Sequence, residues 1–351
     1  MAKPDAHAKP PEAIRNVYKR YQKMDSKALV DRNDLYDSKN LPKMVTNNSQ
    51  PTMSNVNRSF ANFLGAVDHE ITIPTDETAD ISSEPYEIPN LPGLFVYPSL
   101  LTPAVQLAML NRLLHRDLSN QNHQTNLHLH YNITYPHSAC ENVSLNESFF
   151  SSRASNITLQ PKDPSIHKQL NMNQVLNKKL RWTTLGGQYD WTNKVYPSSR
   201  PPPFPKDVKR LIEDLFPMKA EAAIVNFYSP GDTLSLHRDV SEECSQPLVS
   251  ISLGCDGLFV VGLDADGENN EASVATIRLR SGDALLMSGP SRYAWHSVPK
   301  ILENTCPSWM QDWPAMLNPS NDDDSDDGPY AAWKGWMKGK RINLNVRQMF
   351  A

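Results

Sequence analysis

Apolar residues recur along this chain in two periods, and the change falls near residue 222. Upstream the spacing is helical. After Pro10-Pro11-Glu12, the residues Ile14, Val17, Tyr18 and Tyr21 lie three and four apart, with Arg15, Lys19, Arg20 and Lys23 on other faces. This predicts a small amphipathic helix within residues 1–26. Docking on a main domain is the plainer role for it; contact with nucleic acid is the alternative. Gly93–Tyr97 reads as a short strand. Thr102-Pro103 supplies an N-cap and a Pro at the first helical position, and Leu107, Leu110, Leu113 and Leu114 carry that helix to about Asp117. Asp163-Pro164 reads as the start of a helix through Ile166, Leu170 and Val175 to Lys178-Lys179. Val208, Leu211, Ile212 and Leu215 mark another over 205–216. Residues 27–90 are polar and are expected to be an extended or disordered linker. Leu127-His128-Leu129-His130 reads as a strand with two histidines on one face, either a metal pair or, more simply, surface polarity.

From Ala222 onward the period falls to two. Short β-rich runs at 222–228, 233–237, 248–253, 258–263, 273–280, 283–288 and 341–348 are separated mostly by Gly, Asp and Asn. That spacing predicts a sandwich or barrel. Residues 300–340 interrupt it as an insertion, and its acidic run Asn321–Asp327 reads as a solvated loop.

Composition narrows this little. The chain has 351 residues and a net charge of −4, so a nucleic-acid partner would need local basic patches rather than a global field. Cys140, Cys244, Cys255 and Cys306 are scattered without zinc spacing, as expected of reduced thiols. No apolar run is long enough to span a bilayer. The N-terminus mixes Lys and Arg with Asp5 and Glu12, a weak match to a mitochondrial signal. A monomer in nucleus and cytoplasm, or in the mitochondrion, is the expectation.

The chemistry concentrates in two strands. In Thr233-Leu-Ser-Leu-His237-Arg-Asp239, residues two apart in an extended segment point the same way, so His237 and Asp239 converge while Arg238 turns aside. An imidazole and a carboxylate are two of the three ligands of a 2-His-1-carboxylate site, which suits non-haem Fe(II). In Arg341-Ile-Asn343-Leu-Asn345-Val-Arg347 the alternation is complete: Ile342, Leu344 and Val346 share one face, and two arginines and two amides share the other. Such a row can be an ordinary solvated face, or inside a barrel it can bind carboxylates. Asn226-Phe-Tyr228 places an amide and a phenol together in the same way. A third metal ligand should be a histidine on a later strand, for which His296 stands in the right order; alone it would read as a core histidine.

The ordered set Asn226-x-Tyr228, His237-x-Asp239, Ser281-Gly282-Asp283, Ser291-Arg292, His296 and Arg341-x-Asn343-x-Asn345-x-Arg347 resembles the AlkB family of Fe(II)/2-oxoglutarate dioxygenases, and its eukaryotic AlkB homologue 1 branch most. The likeness covers roughly residues 90–350. Asn345 departs from it, since many members carry Thr there.

The resemblance implies an α+β fold, a double-stranded β-helix (jelly roll) with flanking N-terminal helices. It implies a catalytic unit at 222–351 and, at 91–221, an extension with helices and a nucleotide-recognition lid. Fe(II) would be held by His237, Asp239 and His296. 2-Oxoglutarate would meet Arg341, helped by Tyr228, Asn226 and Asn343, with Arg347 nearer its C1 carboxylate. O2 is the co-substrate. Oxidative demethylation of nucleobases would yield formaldehyde, succinate and CO2, on tRNA N1-methyladenosine or DNA N6-methyladenine. Trp182, Tyr189, Trp191 and Glu242 are candidate base contacts. Lys178, Lys179 and Arg181, Lys206, Lys209 and Arg210, and Lys334, Lys338 and Lys340 are candidate phosphate contacts. Competing readings are a protein side-chain hydroxylase, an abasic-site DNA lyase, or a nucleic-acid-binding protein with a vestigial site.

Overall fold

Strands form where the sequence alternates. A computed structural model of the chain describes residues 4–5, 8–29, 34–41, 53–65, 85–136, 148–190, 196, 200–265, 271–316 and 328–350. The short strands β1 (Leu35–Asp37), β2 (Tyr86–Glu87), β3 (Leu94–Tyr97), β4 (Tyr131–Asn132), β5 (Thr158–Pro161), β6 (Leu170–Asn171) and β7 (Trp182–Gly186) come first. The core strands follow: β8 (Ala222–Tyr228), β9 (Leu234–His237), β10 (Leu248–Gly254), β11 (Gly257–Leu263), β12 (Ser273–Leu279), β13 (Ala284–Met287), β14 (Trp295–Ile301) and β15 (Arg341–Arg347).

They build two main sheets, of order β2-β3-β13-β10-β15-β8-β7 and β1-β12-β11-β14-β9, the jelly-roll arrangement. All pairings are antiparallel except β1 with β12. The third sheet, β4-β5-β6, is small and separate. Because β3 and β7 extend the same sheet as β8, no structural boundary falls at residues 221–222, where the sequence suggested one. Strand β14 was also missed: the alternation of Trp295–Ile301 is broken by Pro299 and by irregular pairing, so the insertion begins after Ile301 and not at 300.

Strand β15 lies in the middle of its sheet, between β10 and β8. Ile342, Leu344 and Val346 are fully buried. At roughly 1.5–3 kcal/mol for each such side chain, a one-residue slip would forfeit several kcal/mol, so the register that turns Arg341 and Arg347 to the opposite face is firmly set.

The helices are α1 (Glu12–Lys23), α2 (Met53–Leu64), α3 (Pro103–Leu110), α4 (Met172–Gln174) and α5 (Lys206–Leu215). Helix α1 docks on the main domain: Ile14 and Tyr21 are fully buried in a cluster with Leu258, Val260 and Trp295. Gly262 allows that approach, since a Cβ there would stand 2.9 Å from Ile14 Cδ1.

The stretch 27–90 is not uniformly extended. It holds β1 and the 12-residue helix α2, whose Val56, Phe60 and Phe63 are buried at helical spacing among polar neighbours that hid them. Ser59 donates to Asp214 at the end of α5. The helix expected from Asp163 starts later. Asp163 caps only a local turn through Ser165, and Ile166 is 71% exposed. The true start is a capping box between Asn171 and Gln174 at α4, which runs on through Val175–Lys179. Residues Asn126–Leu129 form a tight helical turn, not a strand. His128 is engaged by Thr125 and Tyr135, which disposes of the metal pair.

The described parts of the insertion pack firmly. Trp313, Tyr330, Trp333 and Trp336 are buried around Phe150 and His115. The acidic run 321–327 lies outside the described residues. His115 accepts or donates through Nδ1 to Ser148 at 2.8 Å and stacks 4.7 Å from Tyr330 and 5.0 Å from Trp313. Burial pulls its pKa down to about 3. The folded value is below the unfolded one of 6.5, so the unfolded chain takes the proton first. This stability is fully present above pH 6.5 and is lost as pH falls toward 3. Urea unfolding should therefore show stability falling below pH 6.5 by up to about 1.4 kcal/mol per pH unit from this residue. His115→Phe should flatten that slope, and an unchanged slope would exclude His115 as its source.

Candidate active site

Three of the sequence-selected side chains meet. His237 ends β9, His296 lies near the start of β14, and the two are register partners. Asp239 follows in the loop after β9. His237 Nε2 is 3.8 Å from Asp239 Oδ1, and His296 Nε2 is 4.0 Å from Asp239 Oδ2. The three ligand atoms all lie within 4.8 Å of one another.

The backbone fixes both tautomers. His237 Nδ1 lies 2.9 Å from Ser235 O and His296 Nδ1 lies 3.0 Å from Ala294 O. A carbonyl only accepts, so each Nδ1 carries a proton, and it is Nε2 of each ring that faces the Asp239 carboxylate and can ligate a metal. Burial, and then His237 beside it, pull His296 down to about 4, which keeps it neutral near pH 7. Burial opposes ionisation of Asp239, but Arg347 and then His296 and His237 outweigh it and hold the carboxyl well below the usual range. Arg347 Nη2 donates to Asp239 Oδ2 at 2.6 Å. The donor set is two imidazoles and one carboxylate, which fits Fe(II).

These groups line a cavity of about 650 Å³ together with Asn226, Tyr228, Arg341, Asn343, Asn345 and Arg347. In the β8–β15 ladder, Tyr228 faces Arg341 and Asn226 faces Asn343. Arg341 is 2% exposed and donates from Nη1 to Cys255 O and from Nη2 to Ser252 Oγ. Its Nε, and Nη1 of Arg347, are buried with no acceptor among the described residues. Two arginine side chains lining one cavity suit a dicarboxylate. Burial raises the pKa of the Tyr228 phenol, which stays a donor.

Sequence reasoning missed several contributors. Ser250 and Ser252, on β10, hold the β15 side chains: Asn343 donates to Ser250 Oγ at 2.7 Å, as Arg341 does to Ser252. Gly257 leaves room for Arg341, since a Cβ there would stand 2.7 Å from its Nε. Only the oddity of a glycine opening an apolar strand hinted at this. Tyr196 lines the cavity at 5.3 Å, edge-on to Tyr189.

Other assignments shift. Tyr189 lines the cavity, and its hydroxyl is 3.2 Å from Ser241 Oγ. Trp182 lies opposite Asn226 on the edge strand β7 and is not among the cavity-lining residues. Trp191 lies outside the described residues. Glu242 lines the cavity but is not a solvated loop residue: it is buried between Arg292 at 2.9 Å and Arg347 at 3.1 Å. Arg238 turns aside as expected, with its guanidinium 4.2 Å over Trp295. Of the basic clusters, Lys178, Lys179, Lys206, Arg210, Lys334 and Lys338 are exposed and Lys209 is partly so. Arg181 is paired with Asp232. Lys340 is buried and donates to Asn177 O and Ser229 Oγ, and burial lowers its pKa to about 8. It is a structural contact, not a surface one.

The profile of the 2OG-Fe(II) oxygenase superfamily matches residues 93–347. The chain belongs to that superfamily, in its AlkB homologue 1 branch. It is 44% identical to the N6-methyladenosine RNA demethylase ALKB1 of Pyricularia oryzae, over 98% of this chain and 97% of that protein. It is 51% identical to the N6-methyladenosine RNA demethylase ALKBH of Cryphonectria parasitica, over 64% of this chain and 99% of that one. Against the tRNA demethylase abh1 of Schizosaccharomyces pombe the figure is 36%, over 77% and 83%. Membership implies an oxygenase that uses Fe(II), 2-oxoglutarate and O2.

Proposed function

We propose that this oxygenase removes N-methyl groups from adenine in RNA. The observation that carries the reading is the triad of His237, Asp239 and His296 in a cavity whose wall holds two buried guanidinium groups with unpaired N–H. The substrate class comes from the relatives, two of which are named for N6-methyladenosine in RNA.

His237, Asp239 and His296 would hold Fe(II), and Arg341, with Tyr228 and Asn226, would take the distal carboxylate of 2-oxoglutarate. When bound, this pair supplies oxidation by O2 coupled to decarboxylation of 2-oxoglutarate to succinate and CO2, converting N-methyl to N-hydroxymethyl, which releases formaldehyde. The protein's part is positional. The carbonyls of Ser235 and Ala294 hold both imidazoles, and Arg347 holds one oxygen of Asp239. Tyr189 and Tyr196 offer aromatic faces at the cavity to a base turned out of its stack. The exposed Lys178, Lys179, Lys334 and Lys338 are available to phosphates.

Nucleoside mass spectrometry before and after incubation with Fe(II), ascorbate and 2-oxoglutarate tests this. The inputs are RNA bearing N6-methyladenosine, tRNA bearing N1-methyladenosine and DNA bearing N6-methyladenine. The expected result is 2-oxoglutarate-dependent loss of methyl, greatest for the first. Turnover confined to peptides would replace this reading with side-chain hydroxylation.

A further inference from the structure

Arg292 touches neither cavity nor metal ligand side chain, yet it is 1% exposed and fully engaged. It precedes His296 by four residues, in the short helical turn Gly289–Tyr293 that leads into β14. Its guanidinium donates in three directions: Nε to Gln246 O at 2.7 Å, Nη1 to Asp239 O at 2.9 Å, and Nη2 to Glu242 Oε2 at 2.9 Å. Glu242 passes the connection on: its other oxygen forms an ion pair with Arg347, 3.1 Å from Nε. Arg347 closes the circuit on the Asp239 carboxylate. Asp239 is thus gripped twice, at its backbone by Arg292 and at its side chain by Arg347, with Glu242 joining the two arginines.

Such a network needs a reason beyond stability. Burying two such pairs costs desolvation that their attraction roughly repays, and apolar replacements of similar shape are often as stable. The stretch between β9 and β10 has no regular secondary structure of its own. Asp239 therefore cannot take its orientation from a strand ladder, as His237 and His296 do.

We propose that Arg292 and Glu242 are positioning residues for the metal site: they lock the Asp239-bearing loop to the segment leading into His296 and set the strength of metal binding. This rests on the triad being a metal site. Arg292 is suited because its planar fork reaches three acceptors at once. Lysine, a single point charge on a flexible stem, cannot. Glu242 is suited because its two oxygens divide between two arginines, one facing Arg292 and the other Arg347, whose Nε and Nη2 both donate to Asp239.

The test is Mn(II) binding to metal-free protein, followed by electron paramagnetic resonance of the free ion, for wild type, His237→Ala, Arg292→Lys and Glu242→Gln. Partners of this kind typically change metal affinity by roughly 10–100-fold. Both Arg292→Lys and Glu242→Gln are expected to weaken Mn(II) within that range while remaining folded by circular dichroism. A merely structural role would lower the melting temperature and leave the Mn(II) affinity of the folded protein unchanged, which overturns the proposal. If Arg292→Lys does not fold, the nearly isosteric Glu242→Gln decides alone. If wild type shows no Mn(II) binding that His237→Ala abolishes, the metal reading itself fails. Wild-type binding with unchanged affinity in the variants sinks only the positioning role.

Discussion

Replacing His237 with alanine should abolish metal-dependent turnover while leaving the fold intact. Its side chain is 35% exposed, at the end of an edge strand, so truncation removes little packing. What it does remove is one of three converging ligand atoms. Changes to groups that merely support a ligand cost roughly 10–100-fold in affinity or activity, so loss of the ligand itself should cost more than about 100-fold. Asp239→Ala is a less clean experiment. It removes one of the two carboxylates beside Arg347 and breaks a buried ion pair, a change that commonly costs about 3–5 kcal/mol of stability. His237→Ala should therefore melt near the wild-type temperature with demethylation below detection by nucleoside mass spectrometry. Undiminished turnover would take His237 out of the metal set.

The parts of this site that could be read in the sequence are those fixed by strand periodicity. Alternation alone puts His237 with Asp239 and separates Arg341, Asn343, Asn345 and Arg347 from Ile342, Leu344 and Val346, and the ladder β10-β15-β8 keeps that separation. His296 could be nominated only by its order in the motif set. Its place opposite His237 depends on β9 pairing with β14, a contact between segments nearly sixty residues apart that no local pattern encodes.

The misreadings have a common cause: a polar residue's role depends on partners remote in sequence. Glu242 looks like a solvated loop residue until Arg292, from the helical turn before β14, and Arg347, from the end of β15, close on it. Lys340 looks like surface until Asn177 O and Ser229 Oγ close on it. Ser250 and Ser252 look like unremarkable strand positions until β15 lies beside them. Helix α2 was hidden for a different reason: its apolar stripe is narrow, and Asn and Ser between the stripe residues mask the period.

The second large effect concerns Arg341. Arg341→Met should weaken 2-oxoglutarate binding while leaving Mn(II) binding by the triad unchanged. The guanidinium is buried, its Nη atoms are used by Cys255 O and Ser252 Oγ, and its Nε has no acceptor. Among the described residues it forms no ion pair within 4.0 Å. A buried cation held by neutral acceptors is costly unless an anion completes it, and the dicarboxylate is the anion proposed for that place. A hydrogen bond to a charged group contributes about 1.5–3 kcal/mol, so the dissociation constant for 2-oxoglutarate, measured by calorimetry on the Mn(II)-loaded protein, should rise roughly 10- to 150-fold by that range. Gly257→Ala is a second route to the same place. Its Cβ would stand 2.7 Å from Nε and 2.9 Å from Cζ, so it should displace the guanidinium and weaken the co-substrate with the arginine still present. A purely supportive arginine would respond differently: both variants would lower the melting temperature, and folded protein would bind 2-oxoglutarate as tightly as wild type. That result would move the co-substrate's anchor away from β15, leaving Arg347, with its unpaired Nη1, as the remaining buried guanidinium at the cavity able to take it.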